Sequence, residues 1–335
     1  MSALFVRAGA GYDVTVERGA LQKAGQLFDL DRRVLIVTDT GVPQNHVAAV
    51  AAACREPHTV TVPAGEASKT LPVWQRLLET MLAENFDRHD CVVAVGGGTV
   101  GDLAGFAAAT YMRGIDFYNV PTTLLAQADA AVGGKTAVDL SGVKNAVGAF
   151  RQPRGVLIDP DVLQTLSPRL VAEGMAEIVK MALTSDAALF DGLSAGLYRT
   201  DIENVLLRAL TIKRDVVERD ELEKGPRRVL NFGHTLGHGI ETAAGDKLLH
   251  GECVALGMIP FCAPAVRRKL LPLLTALGLP TRFEGDAEAV LEAVRHDKKS
   301  AGDAITVVTV PSIGTYQEKT VTLPQLRDAL RILEG

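Results

Sequence analysis

The amino-acid sequence predicts a doubly wound α/β domain over residues 1–152, followed by a mainly α-helical domain over residues 153–335. Three observations support this fold class. Short β-rich runs alternate with helical segments in the first half of the chain, as in a mainly parallel sheet covered by helices. After about residue 150 strands become rare and helical periodicity dominates. A length of 335 residues also suits two domains of about 150 residues each.

The elements of the first domain follow from its apolar runs and turn residues. "LFVRAG" and "YDVTVERG" predict an opening hairpin. Strands are then predicted at "RRVLIVTDTG", "HTVTVPAGE", "CVVAVG" and "DFYNVPTT", with helices at residues 42–55, at residues 70–86 and after the glycine turn that ends "CVVAVGGG". This order is typical of nucleotide-binding α/β domains.

The second domain is predicted from helical periodicity and one late β-rich run. Helices are expected near residues 168–184, 186–197, 201–221, 229–245 and 252–276, and a strand at "AITVVTV", residues 304–310. The domain boundary is placed in "FRQPRG", where proline and glycine interrupt the pattern.

Composition restricts the classes of partner and the compartment. A net charge of −5, without a basic run, argues against a nucleic-acid surface. Apolar runs stay below the roughly 18 residues that cross a membrane, and the N-terminus lacks the pattern of a secretory signal. Four cysteines in unrelated contexts suggest neither a disulfide framework nor a sulfur-rich zinc site. We therefore expect a cytoplasmic protein that acts on a small molecule.

The glycine-rich stretch "VVAVGGGTVGD" is the first candidate for a ligand site. Three glycines between a strand and a helix let the backbone approach a phosphate, which the helix N-terminus favours. A tight turn required only by packing is the alternative. Asp39, at the end of "VLIVTD", can accept hydrogen bonds from ribose hydroxyls, or serve as a turn or cap residue.

A second candidate region lies in "PTTLLAQADAAVGGKTAVDLSGVKNAVGAF". Asp129, Lys135, Lys144 and Asn145 stand among apolar and glycine residues there. Lysines kept in such surroundings usually have an anionic partner. The pattern therefore suggests loops that close over an anionic ligand, although solvated loop lysines are the alternative.

The helical domain holds residues typical of a metal site. Glu177 and Lys180 lie three apart in "AEGMAEIVKMAL", His234 and His238 lie four apart in "LNFGHTLGHGIE", and His250 begins "HGECVALGM". One carboxylate and two or three imidazoles suit a catalytic zinc site, whereas isolated histidines are more often core residues. Spacing alone leaves open whether His238 is a ligand.

Across nearly the whole chain these motifs resemble the 3-dehydroquinate synthase family of sugar-phosphate cyclases. The resemblance is carried, in order, by "PAGEASKT", "GGGTVGDLAGFAAATYMRGI", "VPTTLLAQADAAVGGKTAVD", "KNAVGAFRQP", "GMAEIVKMAL", "RDELEKGPRRVLNFGHTLGHGIE" and "LHGECVALGM". It implies an NAD-binding α/β domain, a helical metal-binding domain and a homodimer. It also implies that Glu177, His234 and His250 bind Zn²⁺ or Co²⁺, and that His238 is an acid–base residue facing the substrate.

The resemblance also assigns residues to the substrate and to the cofactor. The implied substrate residues are Asp129, Lys135, Asn145, Lys180, Lys213, Arg227 and Asn231, with Arg113, Lys144 and one of Lys298 or Lys299. The implied NAD residues are Asp39, Glu66, Lys69, Gly97, Gly98, Asp102, Thr122, Thr123, Lys135, Lys144, Thr165 and Leu166. The many basic groups suit a substrate with both a carboxylate and a phosphate.

The implied reaction belongs to the shikimate pathway of aromatic amino acid biosynthesis. 3-Deoxy-D-arabino-heptulosonate 7-phosphate becomes 3-dehydroquinate and phosphate through transient NAD-dependent oxidation, phosphate elimination, reduction and an intramolecular aldol closure. The enzyme is thus expected to be a phosphate-eliminating carbon–oxygen lyase.

Other functions remain alternatives at this stage. A sister cyclase making 2-deoxy-scyllo-inosose or epi-valiolone would share the plan, but His238 and Arg227 favour dehydroquinate synthase because those relatives tend to alter these positions. A metal-dependent glycerol or alcohol dehydrogenase and a non-catalytic binding module are more distant alternatives. Departures from the family pattern occur at Gly41, Ala130, Ala131 and Pro226.

Overall fold

The computed structural model describes residues 2–297 and 304–334. The chain forms two compact units, the first comprising Met1–Leu166 with Lys213–Leu222 and the second Ser167–Ile212 with Glu223–Gly335. Lys298 and Lys299, of which one was predicted to reach the substrate, lie outside the described residues.

The first unit is built on a seven-stranded sheet within the described residues, in the order β1-β2-β9-β6-β5-β3-β4. All pairs are parallel except the opening hairpin of β1 and β2, as the sequence predicted. The strands are β1 Ser2–Val6, β2 Tyr12–Val16, β3 Arg33–Asp39, β4 Glu56–Val62, β5 Cys91–Gly96, β6 Asp116–Pro121 and β9 Gly155–Ile158; β7 Lys135–Leu140 and β8 Val143–Phe150 form a separate hairpin.

Helices cover the sheet and make up most of the second unit. They are α1 Ala24–Leu27, α2 Gln44–Ala51, α3 Leu71–Ala83, α4 Gly98–Thr110, α5 Pro168–Ser185, α6 Ala187–Ser194, α7 Leu197–Thr200, α8 Ile202–Arg219, α9 His234–Ala244, α10 His250–Met258, α11 Pro264–Ala276, α12 Ala287–Asp297 and α13 Leu323–Leu330. The late strand β10 Ala304–Thr309 was predicted, and it pairs with β11 Gln317–Thr322, which was not. The described helices include none with the length and apolar character required to cross a bilayer.

Alternate residues of the central strands supply two separate cores. Leu35 and Val37 of β3 pack with the residues of α3 and α4, whereas Val34 and Ile36 pack on the opposite face with Phe28 and the residues of α2. Because side chains alternate between faces along a strand, an almost continuous apolar run is needed when both faces are covered. This explains why the sequence of β3 contains so few polar residues.

The order of the sheet places a topological switch between β3 and β5. From β3 the chain continues outward to β4, whereas β5, β6 and β9 extend the sheet in the other direction. Ligands of open α/β sheets bind at the carboxyl ends of strands at such a point. Asp39 ends β3 and the glycine turn at Gly97 follows β5, so both predicted cofactor positions lie at this switch.

Three element predictions were wrong. Residues 135–150, where loops were predicted, form a β-hairpin with Ser141 and Gly142 at positive φ in its two-residue turn. The helix expected at 252–276 is divided into α10 and α11, since Pro260 and Pro264 cannot donate the backbone hydrogen bonds of a continuous helix. The helix expected at 186–197 ends at Ser194, before Gly196 at φ 88°.

The first unit also extends beyond the predicted boundary after residue 152. Strand β9 follows "FRQPRG" and pairs with both β2 and β6 in the sheet. A four-residue buried strand is too short to stand out by periodicity, so the proline and glycine before it resembled a domain boundary.

Candidate active site

Three helices of the second unit bring together the predicted metal ligands. Glu177 lies within α5, His234 is the first residue of α9 and His250 is the first residue of α10. Their potential ligand atoms lie within 4.8 Å of one another. Glu177 is buried, whereas the two histidines are partly exposed, so a metal ion held here would keep a side open to a substrate.

The distances between the donor atoms match those around a metal ion. Oε1 of Glu177 lies 3.6 Å from Nε2 of His234 and 3.6 Å from Nε2 of His250. Metal bonds of 2.0–2.1 Å in a tetrahedral site place neighbouring ligand atoms about 3.3 Å apart. The observed separations are too long for good hydrogen bonds, and Oε1 is buried without a hydrogen-bond partner among the described residues. The donor set therefore fits a divalent cation.

Both histidines are turned so that Nε2 is available as a ligand. Nδ1 of His234 lies 3.1 Å from the carbonyl oxygen of Phe232, and Nδ1 of His250 lies 3.2 Å from Oε2 of Glu241. A carbonyl or a carboxylate can only accept, so Nδ1 donates in both rings, and the lone pair of Nε2 is available to a metal whenever the ring is neutral. This is the usual orientation of metal-binding histidines.

Lys180 adds a buried positive charge to this cluster. It lies one turn after Glu177 on α5, and its Nζ contacts Oε2 of that carboxylate. Although burial opposes ionisation, Lys180 lowers the pKa of Glu177 well below its usual value. Burial, with Lys180 adding to it, also lowers the pKa of His234 well below its usual value. These shifts favour an ionised Glu177 and a neutral His234, as metal ligands must be. For His250, burial opposes protonation, but Glu177 and Glu241 outweigh this effect and raise its pKa to about 10, so a metal ion bound there would displace a proton from the ring.

Glycines allow these helices to approach each other closely. A Cβ atom at Gly257 of α10 would lie 2.0 Å from the carbonyl oxygen of Gly233, and one at Gly251 would lie 2.2 Å from that of Glu173. Gly233 itself has φ 81° and begins α9 directly before His234. The glycines of "GHTLGHG" and "HGECVALGM" therefore set the distance between the backbones that carry the ligands.

His238 lies one turn after His234 on α9 and is exposed. Its ring centroid is 5.2 Å from that of His234 and 5.9 Å from that of His250. His238, Glu241 and His250 form a second group with potential ligand atoms within 4.8 Å of one another. The geometry of Glu177 favours the first group, because its buried Oε1 faces two Nε2 atoms.

Two further predicted substrate residues lie in the segment before α9. Arg227 is 1% exposed, and Nδ2 of Asn231 donates to Oε1 of Glu223 at 3.1 Å. Both belong to a 3₁₀ helix over Pro226–Asn231, which occupies the start of the helix predicted at 229–245. Pro226, a departure from the family pattern, is the first residue of this 3₁₀ helix, where proline is tolerated.

The glycine turn of the first unit leads directly into the N-terminus of α4. Gly97 precedes α4, a helix of 13 residues, with φ −76° and ψ −171°. Gly97 is not at positive φ, and a Cβ there would lie 3.2 Å from Cγ2 of Thr123, so a larger residue would need this side chain to shift. The first amides of α4 lie beside this turn, as in anion sites at helix N-termini.

Four predicted residues of the first unit meet in one polar network. Nζ of Lys69 lies 2.6 Å from Oδ2 of Asp102, 2.5 Å from Oδ1 of Asn145 and 3.5 Å from Oε1 of Glu66. Although burial favours the neutral amine, Asp102 and Glu66 raise the pKa of Lys69. The ammonium thus holds together side chains from three separate segments.

Other predicted residues of the first unit are placed by local contacts. Nζ of Lys213 lies 2.7 Å from Oδ1 of Asp129, and both side chains are largely buried. Oδ1 of Asp39 accepts a hydrogen bond of 2.7 Å from the amide of Gly41, so this aspartate does form the turn that was its alternative assignment. Lys135 and Lys144 are exposed on the β7–β8 hairpin.

The remaining cofactor and substrate positions lie at strand and helix ends. Thr122 and Thr123 follow β6, and the amide of Thr122 donates to the carbonyl oxygen of Gly96 at 2.9 Å. Thr165 and Leu166 end the first stretch of the first unit, where the hydroxyl of Thr165 donates to the carbonyl oxygen of Val162. Arg113 is exposed at φ 70° after α4.

Replacing Lys69 by methionine should lower the free energy of unfolding by about 3 kcal/mol, because it leaves the Asp102 carboxylate without its buried partner. Urea unfolding without ligands measures this loss. Lys23→Met is the matched control, since Lys23 is 44% exposed in its pair with Glu17 and should contribute at most about 1 kcal/mol. Equal losses in the two variants would contradict the structural role of Lys69.

Sequence reasoning did not single out Glu223, which contacts Asn231 as described above, or two further carboxylates that contact predicted site residues. Oδ1 of Asp139 accepts from the amide of Asn145 at 2.7 Å and supports its positive φ of 56°. Glu241 contacts His250, as described above. Glu241 could have been found from its spacing, because it lies seven residues after His234 and therefore on the same face of α9.

Comparison with known proteins gives the same family over most of the chain. Residues 59–173 match the family model of the 3-dehydroquinate synthase N-terminal part, and residues 174–300 match that of the C-terminal part. The chain is 46% identical to 3-dehydroquinate synthase of Enterococcus faecalis, covering 93% of each sequence. It is 41% identical to that of Streptococcus sanguinis, covering 96% of this chain and 97% of the relative.

Solved structures of sister enzymes share the fold. A 2-deoxy-scyllo-inosose synthase complexed with carbaglucose-6-phosphate, NAD⁺ and Co²⁺ has a TM-score of 0.89 at 27% identity, covering 98% of this chain and 99% of that one. The 2-epi-5-epi-valiolone synthase of Streptomyces hygroscopicus, with NAD⁺ and Zn²⁺ bound, has a TM-score of 0.88 at 29% identity, covering 99% and 98%. Glycerol dehydrogenase of Schizosaccharomyces pombe shares the fold alone. Its TM-score is 0.68 at 18% identity, covering 96% of this chain and 88% of that one.

These two curated relatives carry the same enzyme name, at identities well above those of the two sister cyclases. This confirms the family, the fold class and the type of enzyme that the sequence predicted. The chain belongs to the 3-dehydroquinate synthase family, whose members are phosphate-eliminating carbon–oxygen lyases.

Proposed function

We propose that this chain converts 3-deoxy-D-arabino-heptulosonate 7-phosphate into 3-dehydroquinate and phosphate with the residues described above. The observation that most directly supports this proposal is the Glu177–His234–His250 cluster, in which a buried carboxylate oxygen faces two Nε2 atoms at 3.6 Å. Family membership gives the reaction, and this cluster supplies the centre at which a substrate hydroxyl could be activated.

NAD and a divalent cation are the proposed cofactors. The cluster fits Zn²⁺ or Co²⁺, and the glycine turn at the sheet switch point fits the phosphates of a dinucleotide. When bound, NAD accepts and returns a hydride, while the cation makes a hydroxyl proton easier to remove. The proposed NAD residues are those assigned by family resemblance, among which Glu66, Lys69 and Asp102 already meet in one network.

Charged residues are proposed to bind and orient the substrate. Arg227 offers a planar guanidinium that suits a carboxylate, whereas Lys135, Lys180 and Lys213 offer point charges for phosphate and hydroxyl groups. Asp129 holds the ammonium of Lys213 at 2.7 Å and so fixes its direction. These groups would stabilise negative charge as it develops during proton removal and phosphate departure.

His238 is proposed to exchange protons with the substrate. It is exposed on the same face of α9 as His234, so its ring can contact both a bound molecule and water. Imidazole titrates near neutral pH and suits this role. His238 and Arg227 also favour dehydroquinate synthase over the sister cyclases, in line with the higher identity to the former.

The quaternary state is proposed from family resemblance, and the compartment from the sequence composition. We expect a homodimer that acts in the cytoplasm on a small sugar phosphate acid, without a nucleic-acid or membrane partner. Light scattering coupled to size-exclusion chromatography should give about twice the mass of 35.6 kDa calculated for one chain. A mass of one chain across micromolar concentrations would contradict the dimer.

Turnover with a catalytic amount of NAD⁺ tests the proposed function. Phosphate and 3-dehydroquinate should form in equal amounts from 3-deoxy-D-arabino-heptulosonate 7-phosphate, with no net NADH, because the hydride returns to the substrate. Cyclisation of glucose 6-phosphate or sedoheptulose 7-phosphate in its place would indicate a sister cyclase. Net NADH formation from glycerol would indicate a dehydrogenase.

A further inference from the structure

A carboxylate outside the proposed ligand set contacts one of the ligands. Oε2 of Glu241 lies 3.2 Å from Nδ1 of His250, on the side of the ring opposite to Nε2. Nε2 of the same ring faces Oε1 of Glu177 at 3.6 Å. The imidazole thus lies between two carboxylates, with one nitrogen toward each.

We propose that Glu241 is a positioning residue for the metal site, which acts by fixing the orientation of His250. This inference rests on the proposed metal site. The carboxylate accepts a hydrogen bond from Nδ1–H, so Nε2 points toward Glu177 and the ring cannot turn away without losing this hydrogen bond. A negative partner at Nδ1 also makes Nε2 a stronger donor to a cation.

The two histidines differ in how they are held. The backbone carbonyl of Phe232 orients His234, and it belongs to the turn that begins α9. His250 is 31% exposed and stands at the first position of α10, where the preceding turn does not supply an acceptor for its Nδ1 atom in the described contacts. For His250, the carboxylate of Glu241 on α9 is the acceptor, in the role that the Phe232 carbonyl has for His234. The two rings therefore depend on different kinds of acceptor, and only that of His250 can be removed by substitution.

The spacing of three side chains along α9 explains how one helix can contribute all of them to the site. His234, His238 and Glu241 follow at intervals of four and three residues and so share one face. The first is a proposed ligand, the second a proposed acid–base residue and the third reaches the ligand of α10. The side chain of Glu241 is 18% exposed, and its own backbone carbonyl accepts from the amide of Gly245 at the end of α9. A change of the side chain leaves that backbone contact in place.

Glu241→Gln tests the inference, because the amide keeps the size of the side chain and removes its charge. We expect the affinity for Zn²⁺ or Co²⁺, measured by competition with a chelating dye, to fall about 10- to 100-fold. The absorption bands of bound Co²⁺ should also shift, since they depend on the donor strength and geometry of the ligands. The midpoint of thermal unfolding in a chelator should fall only slightly, because one charged hydrogen bond to His250 is weakened there too. A merely structural role would instead lower this stability without lowering the metal affinity of the folded protein.

Asp246→Asn is the matched control. Asp246 is exposed shortly after α9, so this variant makes the same change of charge near the site without touching a ligand. A Glu241→Gln affinity within twofold of that of the unchanged protein, or a loss of the same size in Asp246→Asn, would overturn the inference. Glu241→Asp, which keeps the charge on a shorter side chain, should recover part of the affinity.

Ligand variants separate this inference from the proposed metal site. If His250→Ala and His234→Ala both lose the metal while Glu241→Gln keeps it, the site stands and the role of Glu241 is overturned. If His234→Ala keeps the metal while His238→Ala, His250→Ala and Glu241→Gln all lose it, the metal belongs to the second group, and Glu241 is a ligand and not a positioning residue. Loss in His234→Ala and His250→Ala with partial loss in Glu241→Gln supports both proposals.

Discussion

Replacing His250 by alanine should reduce kcat by about a thousandfold or more and abolish tight binding of the divalent cation. Two ligands remain in the proposed site, which no longer form the three-residue set of a catalytic zinc centre. A cation that polarises an oxygen contributes several kcal/mol to the transition state, and about 4 kcal/mol corresponds to a thousandfold in rate. Steady-state turnover and metal content after dialysis measure the two effects.

His89→Ala is the control for this substitution, since His89 is exposed in the first unit and contacts none of the proposed ligands. NAD affinity should be nearly the same in both variants, because the glycine turn and the Lys69 network belong to the first unit. Full activity with full metal content in His250→Ala would exclude the proposed ligand set. Loss of NAD binding as well would indicate that the variant is misfolded.

The fold was predictable where the sequence pattern reflects burial on both sides of an element. Strands such as β3 are almost entirely apolar because both of their faces are covered. This apolar run can be recognised from the sequence alone. The β7–β8 hairpin was missed because β8 is exposed along most of its length and thus lacks apolar alternation. The Ser141–Gly142 pair could have indicated the turn, because glycine readily adopts the positive φ that a two-residue hairpin connection requires. Both residues do adopt positive φ in the structure.

The site was predictable in its residue types but not in its geometry. A spacing of four allowed His234 and His238 to be paired ligands, and the family resemblance selected His250 in place of His238. The structure supports that choice through Glu177, whose Oε1 faces Nε2 of both His234 and His250. Contacts between helices, such as that of Glu241 with His250, depend on packing that no local pattern encodes.

Substitution of Gly257 by alanine should destabilise the second unit and weaken metal binding together. The added methyl would lie 2.0 Å from the carbonyl oxygen of Gly233 and 2.8 Å from the amide nitrogen of Gly237, and both are backbone atoms. Neither can move without shifting α9 relative to α10. Overpacking of this kind costs about 3 kcal/mol, and His234 is attached directly to the displaced Gly233. Chemical unfolding and metal affinity measure the two consequences.

Gly192→Ala provides a control within the same unit and also inside a helix. The Cβ atom added at Gly192 would lie 3.0 Å from Cδ2 of Leu197, which is the end of a flexible side chain and can move away. That variant should keep its metal affinity, and its stability should change by less than about 1 kcal/mol, since alanine also favours the helix. If Gly257→Ala were equally mild, the close approach of α9 and α10 could not be what sets the distance between His234 and His250. If Gly257→Ala lost stability but kept its metal affinity, the packing of α9 against α10 would not determine the geometry of the metal ligands, and that part of the prediction would be wrong.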